Sequence, residues 1–339
     1  GVSPSDFDGD GILNENDPDD DNDGADDTVD PFAIDPDNGT TTELPVHLDF
    51  EQNSHPNTIL GVGFTGLMQN GENYAEMYNE SEITADGSIT LDMTAGDANA
   101  NNDQDNGFQV GFDSPDEPYA VNTTVNGLPG DSGTLCPCGP GIQLGNGDQQ
   151  NFVKLVLQDN SGDGGIEFGK NENNNYQPGS ITTSEVIGTD TEVGLSIVVD
   201  PSTNTVEAFY KIDDGEWQST GITYDVPASW LDSSDGTGTA AGLIGTNGDT
   251  SPTEATWDYL HVETLDDEGD ANSPPTADAG SDQTVDEGTR VTLDASGSSD
   301  PDDDTLSYNW TQIAGTTVTL SDATEEQPTF TAPDVDGDE

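Results

Sequence analysis

The chain of 339 residues carries 70 Asp and Glu side chains against four Lys and Arg, and its formal net charge is -66. Nucleic acid is excluded as a partner because phosphate binding needs clustered Lys and Arg, and anionic membrane surfaces are disfavoured for the same reason. The sequence has no apolar run long enough to span a bilayer, so we expect no membrane insertion. The length allows two or three compact units.

A charge of this size strains a compact fold, because self-repulsion among carboxylates is screened only over about 8 Å near physiological salt. Bound cations or high salt must therefore compensate for it. Acidic surfaces poor in Lys resemble those of extremely halophilic organisms, which is the origin we expect. Disorder is the weaker interpretation, because four Trp, eight Tyr and ten Phe lie in alternating apolar patterns.

Residues 1–43 contain an internal repeat of thirteen residues and too few apolar side chains to form a core. In EF-hand-type loops, Ca²⁺ is bound by oxygens at positions 1, 3, 5, 7, 9 and 12, with Gly at position 6 for the sharp turn. Both copies of the repeat match this scheme, with position 7 contributing a backbone carbonyl. The predicted ligands of the first loop are Asp6, Asp8, Asp10, the carbonyl of Ile12, Asn14 and Asp17. Those of the second loop are Asp19, Asp21, Asp23, the carbonyl of Ala25, Asp27 and Asp30.

No helical pattern flanks either loop, so residues 6–31 resemble thrombospondin type 3 repeats rather than a helix-loop-helix sensor. The resemblance implies a rod-like spacer that orders only when calcium is bound. Asp replaces the usual Glu at the last ligand position, which predicts weaker binding than in intracellular sensors. The alternative is a solvated acidic tail, which two copies in phase argue against.

Residues 44–265 change to short alternating runs separated by Gly, Asn and Asp clusters, which predicts a β-sandwich or jelly roll. A hairpin turn is expected at 213–215, and helical periodicity nowhere persists over ten residues. The clearest predicted strands are 152–157, 193–199, 206–212 and 257–262.

This middle segment resembles concanavalin A-like jelly-roll modules of the laminin G and β-xylosidase C-terminal type. The segments that carry the resemblance are 106–112, 147–156, 164–168 and 257–262. It implies two antiparallel sheets and a role in secreted, sugar-related proteins. No binding residue of the family maps onto a numbered position here.

Aromatic side chains are the candidate sugar-binding surfaces, since their faces stack on the CH groups of pyranose rings. The candidates are Tyr176, Tyr210, Trp217 and Trp230. The alternative, which we favour, is that they are ordinary core or hairpin residues. A weaker hypothesis places an edge calcium site at Asp49, Glu51 and Asp258, because the first and last strands of jelly rolls often pair.

Catalysis has little support in the sequence, and we expect no enzyme active site. With 70 carboxylates in the chain, a pair suited to glycoside hydrolysis arises by chance. His47, His55 and His261 share no metal-ligand spacing. Cys136 and Cys138 are too close together for the usual zinc site, so a loop pair, free or closed as a local disulfide, is the simpler interpretation.

Residues 266–273 form a polar linker, and residues 274–339 resemble polycystic-kidney-disease-type (PKD-type) immunoglobulin-like domains. The matching segments are 274–285, 287–288, 291–302, 306–310 and 328–333. The resemblance implies an extracellular spacer or adhesion module with Trp310 buried in its core. The family's last strands are missing after Glu339, so we expect an incomplete sandwich, and the start inside a repeat suggests a fragment of a longer precursor.

The predicted fold is all-β: calcium-binding loops, then a jelly-roll sandwich, then a partial immunoglobulin-like sandwich. We expect a non-catalytic extracellular protein for adhesion or assembly, with a cell-surface or matrix protein as partner. An open sheet edge near residues 318–339 would allow filament formation by β-strand addition, although truncation explains the same ending. The alternative is a carbohydrate-binding accessory region of a secreted polysaccharide-active enzyme. Glycosylation sequons lie at Asn38, Asn79, Asn122 and Asn309.

Overall fold

The chain divides into two compact units, Gly1–Leu265 and Asp266–Glu339. The segment expected to be a separate spacer, residues 1–43, is grouped with the sandwich in unit 1. The computed structural model describes residues 8, 10–12, 16–50, 62–68, 83–85, 87–93, 107–126, 139–158, 164–181, 183, 187–188, 191–233, 236–245, 253–265, 276–299 and 306–334. The predicted linker at 266–273 lies outside these residues.

Unit 1 is built from antiparallel strands, with a 3₁₀ turn at Ala228–Trp230 and no α-helix among the described residues. Its strands in chain order are β1 (Val46–Leu48), β2 (Gly66–Leu67), β3 (Ile83–Ala85), β4 (Ile89–Met93), β5 (Gly107–Phe112), β6 (Tyr119–Asn126), β7 (Pro140–Gly145), β8 (Asn151–Gln158), β9 (Gly165–Glu172), β10 (Asn175–Gln177), β11 (Ser180–Ile181), β12 (Glu192–Asp200), β13 (Thr205–Ile212), β14 (Gln218–Asp225), β15 (Thr239–Gly245), β16 (Thr253–Trp257) and β17 (Leu260–Thr264).

These strands form two sheets that pack as a jelly-roll β-sandwich, as predicted. Sheet A has the order β14-β13-β12-β6-β16-β4-β3, and β17 pairs with both β6 and β1. Sheet B has the order β10-β9-β8-β7-β15-β5-β2, with β11 beside β9. The first strand therefore pairs with the last, as expected for a jelly roll.

Alternation within the strands produces the core between the two sheets. In β13, Val206, Ala208, Tyr210 and Ile212 are buried, and the residues between them point away from the core. The predicted strands at 152–157, 193–199 and 206–212 are observed as β8, β12 and β13. The hairpin after β13 is also observed, closed by the N–H of Gly215 bonding the carbonyl of Ile212 at 3.0 Å.

The prediction of one continuous strand over residues 257–262 is wrong, because the chain leaves the ladder at Asp258 and Tyr259 and divides it into β16 and β17. Neighbouring β6 supplies the reason. The Thr123 hydroxyl of β6 donates to the carbonyl of Tyr259, and the Thr124 carbonyl accepts from the N–H of Asp258. The outward-facing residues after the break consequently pair with β6 in a register that is shifted from the pairing before the break.

Two of the four basic residues are buried in sheet B rather than exposed. Lys154 is fully buried, with its Nζ 3.5 Å from Glu167 Oε1, and Lys170 is 7% exposed and bonds Glu172 Oε2 at 2.8 Å. Such pairs hold their charges away from solvent. The charges of both lysines are therefore balanced within sheet B and do not offset the carboxylates of the surface.

Unit 2 contains a two-stranded antiparallel sheet of β18 (Arg290–Thr292) and β19 (Thr329–Thr331). Among its described residues, the other predicted strands run without sheet pairing, apart from the bridge between Thr276 and Ser299. Trp310 is half-buried, so its predicted complete burial is wrong. Its ring lines an open apolar cleft with other half-buried residues, and its Nε1 donates to the Glu325 carbonyl at 3.0 Å.

Candidate calcium site

The thirteen-residue sequence repeat is also a structural repeat. In both loops the same aspartate side chains accept hydrogen bonds from backbone N–H groups two residues further on. The bond from Asp10 N to Asp8 Oδ1 (2.9 Å) in the first loop matches that from Asp23 N to Asp21 Oδ1 (3.1 Å) in the second. The bond from Ile12 N to Asp10 Oδ1 (2.7 Å) likewise matches that from Ala25 N to Asp23 Oδ1 (2.7 Å). At the end of each loop, the bond from Asp19 N to Asp17 Oδ1 (3.2 Å) matches that from Phe32 N to Asp30 Oδ1 (2.8 Å). Each of these carboxylates is thus oriented by its own turn.

Glycine occupies the sharp-turn position in both copies. Gly11 has a φ of 98° and Gly24 a φ of 99°, values that L side chains rarely adopt. The equality of the two angles shows that the turn is the same in both loops. These φ angles agree with the sharp turn that the sequence predicted at the sixth position of each loop.

The loops bring carboxylates together in two groups. The ligand atoms of Asp8, Asp10 and Asp17 lie within 4.8 Å of one another, and so do those of Asp19, Asp21 and Asp23. Asp6 and Asn14, also predicted as ligands, lie outside the described residues. Three converging hard oxygens in each loop are the start of a coordination shell that suits Ca²⁺.

The second loop buries its carboxylates deeply. Asp21, Asp27 and Asp30 are 6%, 1% and 2% exposed. Asp21 Oδ2, Asp27 Oδ2 and Asp19 Oδ1 are buried and accept no hydrogen bond. Residues 1–43 include no Lys, Arg or His that would neutralise them. Buried oxygens of this kind are what a hard cation requires, so the residues present fit calcium.

Burial also changes the acidity of these groups. It raises the pKa of Asp30 to about 7, with the charges of Asp21, Asp23 and Asp27 adding to the effect. It raises the pKa of Asp21 to about 6 and also raises the pKa of Asp27. Without a cation, these carboxylates therefore keep their protons to a higher pH than an ordinary Asp does.

The end of the second loop is packed on the outer face of sheet B. Phe32 is completely buried, and the Nε2 of Gln109 in β5 donates to the carbonyl of Pro31 at 2.8 Å. Further along, the Thr42 carbonyl accepts from the N–H of Asp113 at 2.8 Å. This part of the segment is therefore docked on the sandwich and does not stand away from it as a rod.

Gln109 and Phe32 were not singled out from the sequence, although both fix the loop. Gln109 is fully buried and also donates to the carbonyls of Leu67 and Gly147, each at 3.1 Å. The sequence contains one indication of this role, which is a glutamine inside the apolar run 107–112. A fully buried amide in such a run needs fixed partners.

Asparagine side chains link successive turns of the segment. Asn22 Nδ2 donates to Asp8 Oδ2 across the two loops, and Asn38 Nδ2 donates to Asp23 Oδ2. Asn38 is one of the predicted glycosylation sites, and a glycan on this nitrogen would break the contact with Asp23. The structure thus gives Asn38 a role in holding the second loop.

The four candidate sugar-binding aromatics are placed differently from one another. Tyr210 and Trp230 are 5% and 3% exposed and belong to the core, so both are wrong as accessible platforms. Tyr176 is half-buried, and its hydroxyl donates to Glu167. Trp217 is 45% exposed, with Lys211 Nζ 5.3 Å from its ring centre.

The proposed edge calcium site is not assembled by the residues described. Asp49 contacts His261 Nε2 at 2.7 Å, and Asp258 Oδ1 accepts from Asn126 Nδ2 at 3.3 Å. These contacts hold the two carboxylates in different pairs. Glu51, Asn79, Cys136 and Cys138 lie outside the described residues.

The other sequons differ in exposure. Asn122 is half-buried on sheet A, where its Nδ2 donates to Glu263 Oε1 at 3.2 Å, whereas Asn309 is exposed in unit 2.

Among the described residues, no helix has the length and apolar content needed to cross a bilayer.

Comparison with known proteins identifies one domain of the chain. Residues 279–338 match a family model described as a PKD domain. The C-terminal unit therefore contains a PKD-like domain, as the sequence predicted. A comparison with curated proteins gave no match.

Solved structures similar to this chain contain jelly-roll folds. One is a xylan β-1,4-xylosidase from Bacillus halodurans C-125 (16% identity, 55% of this chain and 35% of that one, TM-score 0.43). Another is the Bacteroides ovatus xyloglucan PUL GH43B (19% identity, 66% and 40%, TM-score 0.47). A third is a Lotus tetragonolobus seed lectin (10% identity, 66% and 98%, TM-score 0.38). The chain spans less than half the length of the two bacterial proteins, and these similarities describe the type of fold alone.

Proposed function

We propose that this chain is a non-catalytic, calcium-stabilised part of an extracellular surface protein, in which calcium fixes the N-terminal loops on the sandwich. The observation that carries the proposal is the burial of Asp21, Asp27 and Asp30 without basic partners. Leaving such carboxylates charged and unpaired costs several kcal/mol each. A bound divalent cation removes that cost.

The position of the loops makes the proposed ion structural. Asp30 is followed directly by Pro31 and Phe32, which are held on sheet B by Gln109 and by burial. Calcium at the second loop would therefore order the loop and its attachment together. Bound ions would also neutralise the most acidic stretch of a very acidic chain.

Calcium titration calorimetry on the full chain, with magnesium as the control, tests this proposal. We expect saturable binding of two calcium ions per chain and protection of residues 6–30 from proteolysis, which a chelator removes. Unchanged proteolysis with and without chelator would contradict the calcium role. Binding of magnesium with equal affinity would contradict a site built for the larger ion.

We assign the work of the chain to adhesion or assembly at a cell surface. The PKD-like domain at 279–338 supports this proposal, because the family that it resembles consists of extracellular spacer or adhesion modules. Light scattering of the full chain in calcium and high salt tests assembly. Growth of the particles with protein concentration is expected for a subunit that self-associates, and monomers at every concentration would contradict self-association.

A second candidate is binding of a polysaccharide, and the exposure of Trp217 favours it. The indole is 45% exposed beside Lys211, so an aromatic face and a hydrogen-bond donor lie together on the surface. Screening a glycan panel with the native chain and with Trp217→Ala would test it. Selective glycan binding that is lost in the variant would support polysaccharide binding at Trp217. Trp230 would not serve as a second binding surface, because it is buried.

A further inference from the structure

The two loops of the N-terminal segment are not supported in the same way. Each loop brings three carboxylates together, and these are Asp8, Asp10 and Asp17 in the first loop and Asp19, Asp21 and Asp23 in the second. The hydrogen bonds that orient the two groups come from different parts of the chain. The position of each donor therefore indicates which loop depends on which.

The second loop supplies donors to the first. The side chain of Asn22, at the fourth position of the second loop, donates from Nδ2 to Asp8 Oδ2. The turn at Asp17 also extends into the second loop, because the N–H of Asp19 donates to Asp17 Oδ1 at 3.2 Å. Two of the three carboxylates grouped in the first loop thus accept hydrogen bonds from residues of the second.

The second loop is supported from within and from the chain that follows it. Inside the loop, the N–H of Gly24 donates to Asp19 Oδ2 at 3.2 Å, and the N–H of Asp23 donates to Asp21 Oδ1 at 3.1 Å. From outside, Asn38 Nδ2 donates to Asp23 Oδ2. Among the described residues, these donors lie in the second loop or after it, and none lies in the first loop.

Asn38 is itself fixed on the sandwich. Its carbonyl accepts from the N–H of Gly238 at 2.7 Å. The next residue, Gly39, packs against the backbone of Gly111 in β5 so closely that an added Cβ would lie 2.5 Å from the carbonyl carbon. The Asn38 amide therefore reaches Asp23 from a fixed position. Support thus runs from the sandwich to the second loop, and from the second loop to the first.

Burial of the carboxylates follows the same direction. Asp21 and Asp30 of the second loop are 6% and 2% exposed. In the first loop, Asp17 is 8% exposed, but Asp8 is half-buried and Asp10 is exposed. A calcium ion in the second loop meets carboxylates that the fold already holds, whereas an ion in the first loop has to order a more exposed chain at a greater cost in entropy.

We propose that calcium binds the two loops in a fixed order, the second loop before the first, with Asn38 and Asn22 as the positioning residues. Asn38 couples the sandwich to the second loop, and Asn22 couples the second loop to the first. This inference rests on the calcium role proposed above and adds an order and a coupling to it. Because such coupling is reciprocal, an ion in the first loop also strengthens binding of the ion in the second.

A calcium titration of the full chain, followed through the amide resonances of Gly11 and Gly24, tests the order. The two glycines hold the same turn position with matching φ angles, so each loop has an equivalent reporter. We expect Gly24 to respond at calcium concentrations no higher than those for Gly11. A response of Gly11 at lower calcium than Gly24 would overturn the order. A chain in which neither glycine responds would refute the calcium role itself, which is a different result.

Asn22→Gly tests the link between the loops. Glycine tolerates the φ of 60° at this position and removes the donor to Asp8. We expect the calcium midpoint of Gly11 to rise by about 10–100-fold, as for the loss of a hydrogen bond to a charged ligand, while that of Gly24 stays unchanged. Asn173→Gly, at an exposed residue with a φ of 53°, is the matched control and should change neither midpoint. Equal Gly11 midpoints in the native chain and in Asn22→Gly would overturn the coupling.

Asn38→Gly tests the link to the sandwich. It should raise the calcium midpoints of both Gly24 and Gly11, because Asn38 supports the loop on which the first loop depends. No rise, or a rise confined to Gly11, would overturn the role of Asn38. General damage to the fold would move both glycines in Asn22→Gly as well, so a selective effect there distinguishes positioning from instability. The unfolding midpoint of unit 1 in chelator confirms that each variant is folded.

Discussion

Replacing Asp30 by Asn should have opposite effects with and without calcium. The side chain is 2% exposed, and burial raises its pKa from 3.8 to about 7. At about 1.4 kcal/mol per pKa unit, keeping this group charged in the metal-free fold costs up to about 4 kcal/mol above pH 7. Asn removes the charge and keeps the oxygen that accepts the N–H of Phe32 at 2.8 Å. Its new NH₂ group needs an acceptor, which reduces the expected gain to about 1–3 kcal/mol.

Calorimetric unfolding at pH 8, with chelator and with saturating calcium, measures both effects. We expect Asp30→Asn to raise the unfolding midpoint of unit 1 in chelator. The calcium-induced rise in midpoint should shrink, because a ligand charge is lost and calcium affinity falls by about tenfold or more. Asp26→Asn is the matched control, since Asp26 is exposed, lies in the same loop and occupies a position that binds no ion.

The control distinguishes a buried ligand from a general effect of net charge. If Asp26→Asn and Asp30→Asn stabilise the metal-free protein equally, the reasoning from burial is refuted. If Asp30→Asn lowers stability by the same amount with and without calcium, the side chain is only a hydrogen-bond acceptor for Phe32. In that case its role as a ligand fails.

Three further predictions concern the same region. Without calcium, stability should fall as the pH rises from about 4 to 7, because Asp21 and Asp30 bind protons more tightly when folded, and saturating calcium should flatten this slope in thermal unfolding. Phe32→Ala should lower the free energy of unfolding by about 3–5 kcal/mol in denaturant titrations, whereas Val29→Ala, at a side chain 68% exposed, should change it by less than about 0.5 kcal/mol. Gln109→Leu should cost about 2–4 kcal/mol and also weaken calcium binding in calorimetry, because it leaves the Pro31 carbonyl without its donor; unchanged calcium affinity would show that docking and binding are independent.

Local features of the fold were predictable because they depend on neighbours in sequence. The thirteen-residue repeat predicted that Gly11 and Gly24 occupy equivalent turns, and their φ angles agree within a degree. The alternation of β13 and the turn after Ile212 were likewise encoded in a few adjacent residues. The strand break at Asp258 was not predictable, since it depends on hydroxyl and carbonyl groups of β6.

By itself, the sequence determined the all-β character, the repeat of the two aspartate-rich loops and the PKD-like domain, because hydrogen bonds within a turn and alternation along a strand are set by residue spacing. Only the tertiary structure decided which carboxylates are buried, that Trp217 rather than Trp230 is exposed, and that His47 faces His261. Those outcomes depend on sheet register and on packing between segments far apart in the chain. No local pattern contains that information, because a one-residue change in register would reverse which side chains face the core.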